Sequence, residues 1–292
     1  MKAFVIGNVA LDETLSIVDF PRPGASIFGS TLSRDLGGKG ANQAVAMART
    51  GLACRFAAAV GRGARGDEIA RRLAIEPLEA KLIVLEEVAT DFSIILMAEA
   101  GENAVITTRE AASALSPAQA RLALEGAAPG DLLVMQGNLS AETTEAALRH
   151  AQGLGLRTAL NPSPLQPYFG RLWPLVDMVF VNEGEAEALG GVETLLAEGV
   201  QDVVLTLGGR GAALIRRDTR SEVPAQPCTV IDTTGAGDCF MAVALASAML
   251  RGGQLDARAL IHAAQAAART VARPGTVAAF PDRAEMAAIL AD

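Results

Sequence analysis

A carboxylate next to backbone stripped of side chains is the feature of this chain most suited to chemistry. Asp232-Thr233-Thr234-Gly235-Ala236-Gly237-Asp238-Cys239-Phe240 places two glycines around an alanine just before the apolar run 240–250. A loop turning into a buried helix leaves the first helical N–H groups without partners, and the peptide dipoles put partial positive charge there. Gly235 and Gly237 carry nothing that would hold a phosphate away from those amides, so the loop reads as an anion cradle with Asp238 facing its contents. Phosphoryl transfer suits such a pairing, because its loose transition state asks for position more than for a strong base. The bland alternative is that Asp238 only complements the helix dipole, worth about 0.3–1 kcal/mol.

A second glycine cluster, Leu36-Gly37-Gly38-Lys39-Gly40-Ala41-Asn42-Gln43-Ala44, precedes a predicted helix with Gly51 near its end. It is not a Walker loop, and no such loop occurs in the chain. Backbone N–H groups, the Asn42 amide and the Lys39 ammonium suit a neutral, hydroxyl-rich ligand as well as a phosphate. Asp12 and Asn138 fall just past predicted strands, where open α/β sheets bind ligands. Asn182-Glu183-Gly184-Glu185 puts a carboxamide and two acids where a helix begins. Those acids cap a helix in the ordinary way, but beside a phosphate they call for an intervening cation such as hydrated Mg²⁺. Gly208-Gly209-Arg210-Gly211, after the run 203–207, would admit a flat base or ribose and would look the same as a hairpin turn. Gly61-Arg62-Gly63-Ala64-Arg65-Gly66 is a formal GxGxxG with Glu86 or Glu87 about 20 positions on, as a nicotinamide dinucleotide site needs. It follows the second strand and holds two arginines, so it reads as a strand-to-helix turn opening 67–73.

The 292 residues suffice for a full core. A net charge of -8 with no basic block argues against a nucleic-acid backbone as partner, and 4% aromatic residues argue against a base-stacking platform. Met1-Lys2-Ala3-Phe4-Val5-Ile6-Gly7 reads as a strand rather than a signal peptide, and no apolar stretch has membrane-spanning length, so a cytoplasmic protein without a membrane partner is expected. Cys54, Cys228 and Cys239 are expected as buried thiols, and His150 and His262 share no ligand spacing, which leaves carboxylate chemistry.

The elements that must position these residues alternate. The apolar run 3–10 reads as a central parallel strand and 54–60 as the next. From residue 117 helices and strands follow in turn: 117–126 helical, 131–136 strand, 141–153 helix, 157–160 and 177–181 strands. That pattern predicts a single α/β domain over 1–292, with a central, mostly parallel sheet between helices. Two β-prone stretches interrupt it. Residues 13–36 surround the turn Phe20-Pro21-Arg22-Pro23-Gly24, and residues 90–108 turn at Ala100-Gly101-Glu102-Asn103. Together they predict a small sheet lying as a lid on the C-terminal edge of the main one.

In this order the motifs resemble the ribokinase (PfkB) family of carbohydrate kinases. The resemblance runs from Gly7-Asn8-Val9-Ala10-Leu11-Asp12 to Arg273-Pro274-Gly275. Its most specific pieces are Gly37 to Ala44, Asn182-x-x-Glu185, Thr206 to Gly211 and Asp232 to Asp238. It implies the ribokinase-like fold with a β lid. It implies an ATP-dependent kinase in which Asp238 is the general base on a primary sugar hydroxyl and the Gly235, Ala236 and Gly237 amides steady the transferred phosphoryl group. Asn182 and Glu185 would organise Mg²⁺ and phosphate through water, with Thr206, Gly208 and Gly211 bordering ATP. Asp12, Gly38, Gly40 and Asn42 would hold sugar hydroxyls, with Lys39 in the same loop and Asn138 at the position matched to a ribose contact. Asp232, Thr234, Thr270, Arg273, Gly275 and Ala279 match a monovalent-cation (K⁺) shell, several through main-chain carbonyls.

The departures concern the acceptor. Ribokinases typically carry a glutamate where this chain has Asn138, and Pro23-Gly24-Ala25-Ser26 lacks the acid usual in that turn. An amide both donates and accepts where a carboxylate only accepts, which changes the hydroxyl pattern satisfied. The resemblance makes a pentose, ribose first, the leading acceptor, and these departures bear against ribose itself. A nucleoside or another sugar or sugar acid is the alternative, followed by a non-catalytic sugar or nucleotide sensor. A homodimer through the exposed lid edge is a further expectation, which light scattering would test.

Overall fold

Short apolar strands become buried on both faces when helices cover both sides of a sheet. The computed structural model describes residues 1–99 and 102–292. In chain order the strands are β1 (Ala3–Ile6), β2 (Ala10–Ile17), β3 (Ser30–Gly37), β4 (Cys54–Gly61), β5 (Glu79–Leu85), β6 (Phe92–Ala98), β7 (Asn103–Thr107), β8 (Leu132–Gln136), β9 (Arg157–Asn161), β10 (Met178–Asn182), β11 (Asp202–Thr206), β12 (Ala212–Ile215) and β13 (Arg220–Val223). The helices are α1 (Lys39–Arg49), α2 (Ala64–Leu73), α3 (Glu110–Ala114), α4 (Pro117–Ala123), α5 (Ala141–Gly153), α6 (Glu183–Ala188), α7 (Val192–Ala197), α8 (Ala236–Leu250), α9 (Ala257–Val271) and α10 (Arg283–Ala291).

Nine strands form the main sheet in the order β13-β12-β11-β10-β9-β8-β1-β4-β5. All its pairings are parallel except β11–β12 and β12–β13. Alternation along each strand splits the core. Val5, Phe56 and Val134 pack with Met47, Met241 and Leu260 on one face, while Phe4, Ile6, Leu133 and Met135 pack with Leu148, Phe169 and Trp173 on the other. No helix among the described residues is long and apolar enough to cross a membrane.

The two interrupting stretches join as a separate four-stranded sheet, β3-β2-β6-β7, with β2–β6 parallel and the other pairs antiparallel. Part of the expected turn, residues 100 and 101, lies outside the described residues. This small sheet is anchored where Asp35 of β3 accepts the Ala278 N–H at 3.1 Å.

Several expectations are corrected. The apolar run 3–10 is not one strand: β1 stops at Ile6 and β2 starts at Ala10, so Asp12 stands on the small sheet itself, paired with Asp35 and Ser93. Burial continues through Gly7, Asn8 and Val9, so hydropathy hides the break. Residues 18–29 form no strand, while β5 and α3 were not foreseen. Cys228 is exposed, unlike Cys54 and Cys239, because the connection 224–230 runs over the surface. Gly61 and Gly66 answer to packing: a Cβ would come within 2.1 Å of the Val88 carbonyl at Gly61 and 2.5 Å of the Gly61 carbonyl at Gly66. Arg62 pairs with Glu86, and Arg65 stacks 4.1 Å over the Phe92 ring.

Candidate active site

Helix α8 opens on Gly235, whose φ of 75° is the left-handed conformation a side chain disfavours. A Cβ there would also press on Phe280 and Thr276 at 3.0 Å, so the loop is seated as well as turned. Of the first amides, Ala236 closes onto the Thr233 carbonyl at 3.3 Å, and Cys239 begins the helical ladder onto Gly235 at 2.9 Å. Among the described residues the N–H groups of Gly235, Gly237 and Asp238 have no acceptor, and nothing stands within 4 Å above Gly237. Three free amides therefore stand at the start of α8, that of Asp238 among them, with Ala236 engaged elsewhere.

The Asp238 side chain is buried, and each carboxylate oxygen receives an amide. Asn42 Nδ2 donates to Oδ2 and Gln43 Nε2 to Oδ1, both at 2.9 Å. Both donors sit on α1, which starts at Lys39 with Gly38 as its cap residue at φ 90°, so Gly40 lies inside the helix rather than before it. No side chain of the capping residue closes this N-terminus. Asn8, at the end of β1, does it instead: its Oδ1 accepts the Gly40 N–H at 3.2 Å and its carbonyl the Ala41 N–H at 3.1 Å. The Gly40 amide is thus committed to the protein and not free for a sugar hydroxyl. Its bare Cα serves close approach, since a Cβ would lie 2.7 Å from the Asn8 carbonyl oxygen.

Asp12 Oδ1, Asn42 Oδ1, Asn138 Oδ1 and Gln136 Oε1 are buried acceptors without donors; of these residues, Asn42 bonds Asp238 directly and Asp12 is near enough to feel its charge. Burial pushes the Asp12 carboxyl up from 3.8 to about 6. The Ser93 hydroxyl pulls it down, and the nearby charges of Asp35 and Asp238 push it further up. A carboxyl raised on folding stabilises the fold least where it must ionise. The penalty is absent below about pH 3.8 and grows until the folded group ionises at about 6, reaching about 3 kcal/mol at higher pH. Asp12→Asn should consequently raise the midpoint of thermal unfolding clearly at pH 8 and little at pH 4, while weakening sugar binding. Equal shifts at both pH values, read by calorimetry, would show that this carboxylate is not strained by burial.

A cleft of about 210 Å³ lies beside Asp238, lined by Lys39, Asn182, Glu185, Thr206, Gly235 and Gly237, among others. The structure thereby gathers residues from five separated stretches of sequence. Gly38, Gly40, Asn42, Asn138 and Asp12 do not line this cleft; all but Gly38 are buried. Asn182 and Glu185 form a reciprocal cap on α6: Asn182 Oδ1 accepts the Glu185 N–H at 2.8 Å, and Glu185 Oε2 accepts the Asn182 N–H at 3.0 Å. Their remaining lone pairs suit water-mediated contact with a hard cation such as Mg²⁺. Thr206 ends β11, and Gly208 and Gly211 form the tight turn into β12, at φ 57° and 104°, outside the cleft lining. The glycine turn is thus a hairpin connection that also delivers Thr206.

Asp232 ties two loops together: its Oδ1 accepts the Thr234 N–H at 2.9 Å and its Oδ2 the Gly275 N–H at 3.0 Å. Gly275 makes that approach at φ 95°. Thr270 spends its hydroxyl on the Ala266 carbonyl at 3.0 Å, and Arg273 is paired with Glu285, so only main-chain oxygens there can face a cation. The Ala279 N–H closes a turn on the Thr276 carbonyl at 3.1 Å and leaves its own carbonyl as the candidate group. The residues present fit a hard monovalent ion as an all-oxygen set. Among the described residues, no cluster of three or more His, Cys, Asp or Glu side chains could hold a metal ion directly.

Sequence reasoning passed over Asn8, Gln43 and Gln136 as site residues. Gln136 Nε2 donates to Gln43 Oε1 at 2.7 Å, behind the amide that reaches Asp238. A polar residue at the end of a buried strand is the available signal, and the sequence reading takes Gln136 only as the last residue of the strand 131–136.

Comparison with known proteins identifies the family. The description "pfkB family carbohydrate kinase" matches residues 3–283. The chain is 31% identical to a ribokinase of Haemophilus influenzae, over 96% of this chain and 95% of the relative. Among solved structures it resembles a ribokinase of Thermotoga maritima with a TM-score of 0.90 and 26% identity over the full length of both chains. It also resembles a ribokinase of Cryptococcus neoformans in complex with ADP, with a TM-score of 0.82 and 26% identity over 98% of each chain. The chain therefore belongs to the pfkB family of carbohydrate kinases, phosphotransferases whose acceptor is an alcohol group.

Proposed function

We propose that this protein transfers the γ-phosphoryl group of ATP to the primary hydroxyl of a sugar, a pentose first among the candidates, with Asp238 as the base. One observation carries the reading: a buried carboxylate fixed by two amides stands beside free helix-terminal N–H groups and buried acceptors that lack donors. Acceptors of that kind are satisfied by a ligand rich in hydroxyl donors. The sugar lies among Asp12, Asn42 and Asn138, and Asp238 takes the proton of its terminal CH₂OH. The phosphoryl group rests on the amides of Gly235, Gly237 and Asp238, where donors fixed in advance stabilise charge as it moves. Lys39, in the same cleft, neutralises phosphate charge. The ADP complex of the Cryptococcus relative supports a nucleotide as a ligand of this chain. Mg²⁺ held through water by Asn182 and Glu185 would supply further charge neutralisation, and K⁺ between the loops joined by Asp232 would hold the cradle's shape.

The test is a coupled assay of ADP release across pentoses, hexoses, sugar acids and nucleosides. Fastest turnover with a pentose supports the reading, and turnover confined to nucleosides or sugar acids moves it to those acceptors. Ligand binding without ADP release from any of them would make the protein a sensor. Asn138 decides among sugars, because a mismatched buried polar group costs about 1–3 kcal/mol. Asn138→Glu should raise the preference for ribose over the best wild-type acceptor by roughly ten-fold. An unchanged ratio of kcat/KM values would remove Asn138 from the specificity site.

A further inference from the structure

Asp238 is the last member of a chain of side-chain amides that begins at the far strand end. Gln136 Nε2 donates to Gln43 Oε1 at 2.7 Å, and Gln43 Nε2 donates to Asp238 Oδ1 at 2.9 Å, all three side chains being buried. The direction of these bonds is determined link by link. An ionised carboxylate only accepts, so Gln43 must turn its NH₂ to Asp238 and its carbonyl to Gln136. Gln136 must then turn its own NH₂ to Gln43, which leaves its Oε1 with no donor. That oxygen lies against the bare Cα of Gly7, where a Cβ would fall 1.9 Å from it. An oxygen tolerates C–H neighbours at that contact, whereas an amide N–H there would have no acceptor. Gly7, Gln136, Gln43 and Asp238 thus form one polarised relay drawn from the ends of β1 and β8, α1 and the start of α8.

We propose that Gln43 and Gln136 are positioning residues for Asp238, and that the fixed direction of their amides holds its carboxylate in the orientation that meets the sugar hydroxyl. Neither touches the reacting atoms. Gln43 acts directly on the Asp238 oxygen, and Gln136 acts by forbidding Gln43 to reverse. The proposal rests on the kinase reading for its kinetic consequence, while the relay itself can be tested without activity.

Gln136→Glu is the decisive change when assayed at a pH where the new acid is ionised, because the carboxylate keeps shape but can only accept, whereas its protonated form could donate to Gln43 Oε1 and preserve the relay. Gln43 then stands between two acceptors with one NH₂ to give. The expected kinetic result is a fall in kcat of about 10²-fold with KM for sugar and ATP nearly unchanged, as for loss of orientation at the reacting centre. A role in packing alone would raise both KM values along with the fall in kcat.

The second arm reads thermal unfolding only. An asparagine at position 238 can donate to Gln43 Oε1, which frees the Gln43 NH₂ for a glutamate at 136 and satisfies the relay in the reverse direction. Asp238→Asn in the Gln136→Glu background should therefore recover more of the lost unfolding temperature than Asp238→Ala does, although both remove the same charge. Equal recovery by the two would overturn the relay and leave simple repulsion between acids. Recovery specific to asparagine, with kcat of Gln136→Glu at the wild-type value, would overturn the positioning role while keeping the relay. If wild type releases ADP with no acceptor, the kinase reading fails and the unfolding arm still decides the relay.

Discussion

Asp238→Asn is expected to lower kcat by about 10²–10⁴-fold, the contribution of a positioned general base, and to leave ATP binding intact. The substitution keeps shape and hydrogen bonding near native: the new amide can still accept from Asn42 or Gln43, and the unpartnered Asn42 Oδ1 is available to take its N–H. The amides of Gly235 and Gly237 come from the backbone and are untouched. Removing a negative charge from the mouth of the cradle favours a polyphosphate if anything. Loss of turnover with an undiminished Kd for ATP separates chemistry from binding, and the split is read by single-turnover kinetics and titration calorimetry. Retention of a tenth or more of the wild-type rate would exclude Asp238 as the base and shift the role to another buried acid, of which Asp12 is the nearest in chemistry.

What was legible in the sequence were features that chain neighbours settle among themselves. The cradle at 235–238 needs only glycines, a helix start and an acid in consecutive positions, and α8 begins at Ala236 as that pattern requires. The start of α6 at 182–185, with acids in its first turn, was legible too, although not the reciprocal bonding of Asn182 and Glu185. Asn8 and Gln136 were not, because their partners are 32 and 93 residues away and no local pattern records the pairing. Asp12 was placed beyond a strand rather than on one, since unbroken burial from Ala3 to Asp12 gives no hydropathic mark where the chain passes from the large sheet to the small. The edge strand β5 alternates weakly between half-buried and exposed positions, so its periodicity carries little signal. The same physics explains the glycine motif at 37–40, which looked like a ligand loop and is in good part a packing device.

Gly40 is where packing and function meet, and Gly40→Ala is expected to lower stability and rate together. The added Cβ would stand 2.7 Å from the Asn8 carbonyl oxygen, 2.8 Å from the Asn8 nitrogen and 2.9 Å from the Gly7 carbonyl carbon. All three are backbone atoms at the end of β1, so no flexible side chain can yield, and α1 itself must move. Moving it stretches the Asn8 bonds to the Gly40 and Ala41 amides, now 3.2 and 3.1 Å. It also carries away Lys39, Asn42 and Gln43 together, and with them both bonds that orient Asp238. Overpacking of this kind costs about 1–3 kcal/mol of stability, and a displacement near 1 Å costs about 10²-fold in kcat/KM. Gly153→Ala, at the end of α5 with nothing within 4 Å of its Cβ, adds the same methyl in open space and should leave both stability and rate unharmed. A Gly40→Ala enzyme as active and as stable as the Gly153→Ala control would mean that α1 can withdraw from β1 without disturbing Asp238. In that case the amides from α1 could not be what sets the carboxylate's position.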